Sequence, residues 1–303
     1  MELSLIIPLY NEENNIDELV DRLSKSLNDI ELTYELILVN DGSTDETNDI
    51  LCKFNANSNV KIITLIKNYG QSIANRAGIE NATGKYILCM DGDLQHKPED
   101  IPKIVSYLDQ GYDLVSVYKD SGSKQSIGSK IAHRLISRIS KTDLRYYGIS
   151  VKAFRRDLIN TGDLYGNTHR YIGISLAKNA KKYIEVPITI DNRETGKSKY
   201  RHKQWSVLFE LFTLKLMLKD IDGLSKYFRK AGLVLGFLGV VGVAITICLD
   251  IFADLNIGRD FIIEFIFMNF VIIVGILFFI LGLVLHIYQK ESSSTPYIIR
   301  SND

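Results

Sequence analysis

A chain of 303 residues has room for one large domain or two, and its 36 basic and 36 acidic side chains cancel. That balance offers no electrostatic case for a nucleic-acid partner. Cys52, Cys89 and Cys248 have neither metal-ligand nor disulfide-framework spacing, which fits thiols in a reducing compartment.

The average hides a split. The first two thirds mix charged and apolar residues, and the last third holds two long apolar runs. Met1-Glu2 leads straight into an apolar run ending at Pro8, with no cleavable leader pattern. This run reads as a first strand, followed by Leu9-Tyr10-Asn11-Glu12-Glu13. Ile16, Leu19, Val20, Leu23 and Leu27 then fall at helical spacing. Tyr34 to Val39 reads as a second strand, running into Asn40-Asp41-Gly42-Ser43-Thr44-Asp45, where Ser43 or Thr44 suits a helix N-cap. Lys61 to Ile66 is a third strand and Gln71 to Asn81 a helix. Tyr86 to Met90 is a fourth strand, Pro98 opens a helix, and Asp113 to Val117 is a fifth strand. Residues 146–160 and 183–190 supply further strand or helix pieces. Strands alternating with helices predict an α/β fold, a mostly parallel sheet with helices on both faces.

The fourth strand runs into Asp91-Gly92-Asp93-Leu94-Gln95. Residues i and i+2 of a strand face the same way, so Asp91 and Asp93 are placed to share one hard cation, with Gln95 adding a neutral oxygen. Taken alone, Asp-x-Asp also suits a solvated loop. In parallel sheets, however, ligands bind beyond the carboxyl ends of the strands. Pro8-Tyr10-Glu12, Asp41-Gly42-Ser43 and Asp91-x-Asp93 all lie there, three polar clusters converging on one rim.

Residues 118–145 carry Lys119, Lys124, Lys130, His133, Arg134, Arg138, Lys141 and Arg145, with a helix predicted over 128–140. They make either a solvated helix face or a basic surface for phosphate or anionic lipid. Arg193-Glu194-Thr195-Gly196-Lys197-Ser198-Lys199-Tyr200-Arg201 has the composition of a phosphate-gripping loop. Gln204 to Leu218, with Trp205, reads as an interfacial helix. Ala231 to Leu249 and Phe265 to Leu285 carry no charge, and each approaches the roughly 20 residues a bilayer-spanning helix needs. Lys226, Arg229 and Lys230 precede the first run, and Lys290 and Arg300 follow the second. Asp250, Asp254, Asp260 and Glu264 lie between them with Arg259. That asymmetry predicts a two-span hairpin in the cytoplasmic membrane with both termini cytoplasmic. Gly232, Gly236, Gly239 and Gly242 permit close helix packing, within the hairpin or between chains of a homo-oligomer. The expected divisions are 1–200 for the α/β domain, 201–227 for the interfacial helices, 228–290 for two spans (about 231–251 and 263–287), and 291–303 for a cytoplasmic tail.

Ile7-Pro8-Leu9-Tyr10-Asn11-Glu12-Glu13, Val39-Asn40-Asp41-Gly42-Ser43-Thr44-Asp45, Asn68-Tyr69-Gly70 and Met90-Asp91-Gly92-Asp93-Leu94-Gln95-His96-x-Pro98-Glu99 together resemble the family 2 glycosyltransferases. Those are inverting enzymes of the GT-A fold. Arg193-Glu194-x-Gly196-Lys197-Ser198-Lys199-Tyr200 resembles the polyprenyl-phosphate branch, which includes bactoprenol glucosyltransferases and dolichol-phosphate mannose synthase. The two-span tail and Pro296-Tyr297-Ile298-Ile299 are similar to the bactoprenol type. The resemblance implies transfer of a hexose from a nucleotide sugar, UDP-glucose or a related UDP-hexose, to undecaprenyl or another polyprenyl phosphate. GDP-mannose as donor, or a non-catalytic nucleotide-sugar-binding subunit, is the alternative.

The resemblance further implies that Pro8, Tyr10, Glu12 and Asp41 hold the nucleotide, and that Asp91, Asp93 and Gln95 bind Mg²⁺ or Mn²⁺. Arg193, Ser198, Lys199 and Arg134 would meet donor or acceptor phosphate, with Asp91, Asp93 and Arg193 carrying catalysis. Two positions depart from the pattern. Asn40 stands where many relatives carry Asp, and Tyr146 replaces an acid, leaving Asp143 as the nearest substitute. Asn167, His169 and Arg170 are candidates for the sugar pocket or for a plain surface loop.

Overall fold

The first strand sets the frame. Its sequence, Leu3-Ser4-Leu5-Ile6-Ile7-Pro8-Leu9, is apolar almost without interruption and buried along its length (β1, Leu3–Leu9). A strand covered on both faces needs no polar alternation. The computed structural model describes residues 2–119, 137, 142–144, 150–164, 172–188, 221–253, 262–292 and 295–300. It divides into two compact units, 1–215 with 295–303, and 216–294.

In the first unit, β1 is joined by β2 (Tyr34–Asn40), β3 (Val60–Thr64), β4 (Tyr86–Cys89), β5 (Leu114–Lys119), β6 (Lys152–Arg155) and β7 (Tyr183–Ile188). The strand order is β3-β2-β1-β4-β6-β5-β7. All neighbours run parallel except β6, which is antiparallel to both β4 and β5. The mostly parallel sheet is therefore as expected, with one reversed strand set into it.

The pleat of β1 sorts the helices. Leu3, Leu5, Ile7 and Leu9 join α1 (Ile16–Asn28) and α4 (Ile101–Asp109) in one core. Ile6 points the other way, onto α3 (Gln71–Glu80), where a Cβ on Gly78 would lie 2.4 Å from Ile6 Cγ2. Helices thus cover both faces, and α2 (Thr47–Cys52) and α5 (Ile172–Asn179) complete those of this unit among the described residues. Burying a Leu or Ile side chain contributes about 1.5–3 kcal/mol, and α1 buries Ile16, Leu19, Leu23 and Leu27 at 0–1% exposure.

Residues 295–300, expected as a separate tail, belong to this unit. Leu65 and Ile299 form an antiparallel bridge at the edge beside β3. Ile66 N donates to Ile298 O at 3.1 Å and Arg300 N to Thr64 O at 2.7 Å. Tyr297 is buried and donates to Glu80 Oε2 at 2.7 Å. Covering the end of an edge strand removes unpaired backbone groups.

Among the described residues the second unit is a pair of helices, α6 (Ile221–Ala253) and α7 (Ile262–Ser292). Gly223–Leu249 and Ile262–Ile287 have mean hydropathies of 2.5 and 3.0 and are mostly exposed, long and apolar enough to cross a bilayer. Residues 221–227, expected in an interfacial helix, are continuous with the first apolar helix. The glycine stripe packs inside the pair. A Cβ on Gly275 would lie 2.6 Å from Gly236 N, and one on Gly239 2.5 Å from Ile272 Cγ1. The expected helices at 128–140 and 204–218 lie outside the described residues, apart from residue 137.

Candidate active site

The strand order places the site. From β1 the chain steps outward through β2 to β3, and then crosses to β4 on the other side of β1. The β1/β4 boundary is the topological switch point of the sheet, where ligands of open α/β sheets bind. β4 pairs with β1 only as far as Ile6–Cys89, while β1 continues along β2 to Leu9. This explains how Pro8 sits in a central strand: it lies beyond the pairing with β4, and its missing N–H breaks no ladder there. Beyond that point the chain leaves β1 through Tyr10 and Glu12 and leaves β4 through Asp91 and Asp93.

Sharp turns build the rim. Asn11 and Leu94 have φ of +54° and +56°, Gly42 and Gly70 +64° and +92°. Non-glycine residues rarely adopt this region, and here they follow the ends of β1 and β4. At Gly42 no side chain fits, since a Cβ would lie 2.2 Å from the Lys67 carbonyl carbon.

The loops after β1 and β2 are laced together. Asn11 N donates to Ser43 Oγ at 3.0 Å, Thr44 N to Asn11 Oδ1 at 2.9 Å, and Glu12 N to Thr47 Oγ1 at 3.0 Å. Asn15 Nδ2 donates to Glu12 Oε2 at 2.6 Å. Asn40 is 1% exposed, accepts from Ser43 N at 2.9 Å and donates to Asn48 Oδ1 at 3.3 Å. The departure from Asp at position 40 thus serves the turn, using an amide as donor and acceptor at once.

Asp41 is buried, and its two oxygens accept from Tyr69 N at 2.8 Å and Gly70 N at 2.9 Å. Burial raises its pKa, and those two hydrogen bonds oppose the rise. Its carboxylate fixes the Asn68-Tyr69-Gly70 loop, which leads directly into α3. Tyr10 is 36% exposed at the rim.

Asp91 is gripped from two sides. Gln71 Nε2, from the first residue of α3, donates to Oδ1 at 2.5 Å, and Ser150 Oγ donates to Oδ2 at 2.6 Å. Ser150 is also 3.3 Å from His96 Nε2. Burial lowers the pKa of His96. Asp93 Oδ1 accepts from Gln95 N at 3.2 Å. Gly92 separates the two acids, and a Cβ there would lie 2.4 Å from Leu9 Cδ2.

Behind Asp91 lies a cavity of about 10 Å³ lined by Gln71, Asn75, Cys89, Ser150, Lys152, Phe154 and Ile172, close to what one water requires. Asn75 Oδ1 has no partner among the described residues. Lys152 is 1% exposed; burial lowers its pKa to about 8, against the pull of Cys89 and Asp91. Burial likewise pushes the Cys89 thiol up to about 12.

The structure thus brings Pro8, Tyr10, Glu12, Asp41, Asp91, Asp93 and Gln95 to the carboxyl edge of β1, β2 and β4. Arg134, Tyr146, Asn167, His169, Arg170, Arg193, Ser198 and Lys199 lie outside the described residues. Asp143 is exposed, and its backbone N–H donates to Tyr183 Oη at 3.0 Å. Sequence reasoning missed Gln71, Ser150 and Lys152 beside Asp91. A lysine inside the apolar run Val151-Lys152-Ala153-Phe154 was the available signal.

Among the described residues no group of three or more His, Cys, Asp and Glu surrounds a metal position. Two carboxylates and an amide oxygen still suit Mg²⁺ or Mn²⁺, which complete their shells with water and substrate phosphate. A carboxylate offers about four acceptor positions, so a protein donor on each oxygen of Asp91 is compatible with a cation on the same carboxylate.

Comparison with known proteins gives the family and the fold. The sequence profile described as Glycosyl transferase family 2 matches residues 4–222. A dodecaprenyl-phosphate galacturonate synthase of Rhizobium johnstonii is 35% identical over 251 residues, 80% of this chain and 74% of that protein. Among solved structures, Staphylococcus aureus TarS residues 1–349 in complex with UDP-GlcNAc superposes with a TM-score of 0.52 at 21% identity, over 72% of this chain and 66% of that one. The chain therefore spans just under two thirds of that structure. Mannosyl-3-phosphoglycerate synthase of Rubrobacter xylanophilus gives 0.52 at 12% identity, over 71% and 74%. These two likenesses show a shared fold of GT-A type, and the profile match and the 35% relative place the chain in glycosyl transferase family 2.

Proposed function

We propose that this chain transfers a hexose from a UDP-sugar, UDP-glucose or a related UDP-hexose, to a polyprenyl phosphate at the cytoplasmic face of a membrane. The observation that carries the reading is Asp91, braced by Gln71 and Ser150 beside Asp93, at the β1/β4 switch point. The relative named for a dodecaprenyl-phosphate product supports the acceptor class.

Asp91, Asp93 and Gln95 would hold Mg²⁺ or Mn²⁺, and Pro8, Tyr10 and Glu12 would border the nucleotide. When bound, the cation supplies charge neutralisation for the departing nucleoside diphosphate. Asp41 acts at one remove, by fixing the loop that starts α3 and so the place of Gln71. The acceptor phosphate is already an anion at neutral pH, so its attack on the anomeric carbon needs no strong base from the protein. The cationic Arg193–Arg201 segment suits two phosphate groups brought close together.

The apolar pair α6 and α7 supports membrane association. The segments before and after that pair belong to one compact unit, as two crossings of a bilayer require. Restriction to a membrane reduces the freedom the acceptor loses on meeting the donor.

The test is product analysis with purified full-length chain, polyprenyl phosphate and a panel of UDP-glucose, UDP-galacturonate and GDP-mannose, with and without EDTA. The expected result is a lipid-linked sugar from a UDP-hexose, lost in EDTA. Transfer only from GDP-mannose would overturn the donor assignment, and binding without turnover on any donor would favour a non-catalytic subunit.

A further inference from the structure

His96 lies in the stretch that supplies Asp91 and Asp93, and the function above gives it no task. Its partner Ser150 stands two residues before Lys152, which pairs with Cys89 at the end of β4. The antiparallel entry of β6 therefore delivers a hydroxyl to the end of the strand that carries Asp91.

Proton counting fixes the direction of the contacts. Ser150 has one hydroxyl proton, and a carboxylate only accepts. The 2.6 Å bond to Asp91 Oδ2 uses that proton. The 3.3 Å contact with His96 then requires Nε2–H to donate to Ser150 Oγ. Nδ1, on the other side of the ring, is buried and has no partner among the described residues.

We propose that His96 and Ser150 are positioning residues for Asp91: the chain from His96 Nε2 through Ser150 Oγ to Asp91 Oδ2, opposed by Gln71 on Oδ1, sets the orientation in which this carboxylate meets a divalent cation. The inference rests on the reading of Asp91 and Asp93 as cation ligands. Two segments from different parts of the chain meet on one carboxylate, so its rotamer is decided before any sugar donor arrives. Groups that orient metal ligands from behind typically change metal affinity 10–100-fold when removed.

The test uses full-length chain in detergent and reads Mn²⁺ binding in the presence of UDP by electron paramagnetic resonance, alongside kcat, KM and thermal midpoint. Ser150→Ala and His96→Phe should each weaken Mn²⁺ binding about 10-fold or more. The double variant should be little worse than either single one, because both break the same chain. Ser150→Thr and His96→Gln keep a donor in each place and should recover most of the affinity; they also report on the chain should the truncated forms fold poorly.

If wild type binds Mn²⁺ with UDP and Ser150→Ala binds it equally well, the positioning role fails while the cation site stands. If wild type itself does not retain Mn²⁺, the cation reading fails and this inference falls with it. A fall in thermal midpoint with Mn²⁺ affinity unchanged would mark the chain as structural only and overturn the proposal.

Discussion

Asp41→Asn separates two roles that the rim allows for this residue. Asp41 accepts two backbone N–H groups at 2.8 and 2.9 Å. Hydrogen bonds to a charged acceptor contribute about 1.5–3 kcal/mol each. An asparagine keeps one acceptor oxygen and turns an N–H₂ toward the other backbone N–H. One bond is lost, and two donors face each other in a buried place. Against this, the neutral amide is relieved of the burial that raises the Asp41 pKa. The net expectation is a loss of about 2–4 kcal/mol, or a fall of about 5–15 °C in the midpoint of the catalytic unit. Because Gly70 precedes Gln71, loosening this loop should also lower kcat through Asp91. The assays are a melting curve followed by intrinsic fluorescence and a steady-state donor titration. A raised KM for UDP-sugar with unchanged midpoint and kcat would refute this reasoning and return Asp41 to direct nucleotide contact.

Asp93→Ala should abolish transfer while leaving the melting curve near wild type, measured by product formation at saturating donor. Tyr297→Phe removes the donor to Glu80 Oε2 and should cost about 1–3 kcal/mol at neutral pH, read by denaturant titration. Its acid side carries a second signature. Burial pushes the Glu80 pKa up, but hydrogen bonds from Tyr297, Arg76 and Thr161 outweigh it, and the net shift is downward from 4.5. A lowered folded-state pKa contributes stability above the unfolded value that is lost as pH falls through the folded one. The loss on acidification below about 4.5 should therefore be smaller in Tyr297→Phe than in wild type; an equal loss would contradict the assignment. Gly275→Leu drives a side chain toward Gly236 N, 2.6 Å from the Cβ position, and should destabilise the helix pair by about 1–3 kcal/mol, read by unfolding in SDS. Unchanged unfolding would mean the glycine seam does not join α6 to α7.

Much of this was legible in the sequence because it rests on short-range rules. Uninterrupted apolar runs announced β1, β2 and β4, and polar clusters after them announced the rim, since parallel strands carry their ligand groups at one end. Residues 146–160 read as strand or helix, but the reversed direction of β6 was not legible. Four residues following a long polar stretch show no hairpin signal, and their place between β4 and β5 depends on partners far away in sequence. That is also why Ser150 and Lys152 went unnoticed beside Asp91. Gln71 opens an ordinary amphipathic helix, and only the packing of α3 against the sheet turns its amide toward Asp91. Asn40 reads in the sequence only as a departure from Asp, whereas its two amide functions tie a turn that a carboxylate could only accept from. The return of Tyr297–Arg300 to the edge beside β3 was hidden for the same reason as β6: a bridge across more than two hundred residues leaves no local pattern.

The proposal that a family 2 rim, built around a braced acid pair, serves a phosphate acceptor carried by a membrane lipid is tested most directly by the rate of radiolabelled hexose transfer from UDP-hexose to polyprenyl phosphate, measured beside the same lipid as its free alcohol. Transfer to the phosphate and none to the alcohol is expected; equal transfer to both would overturn the proposal.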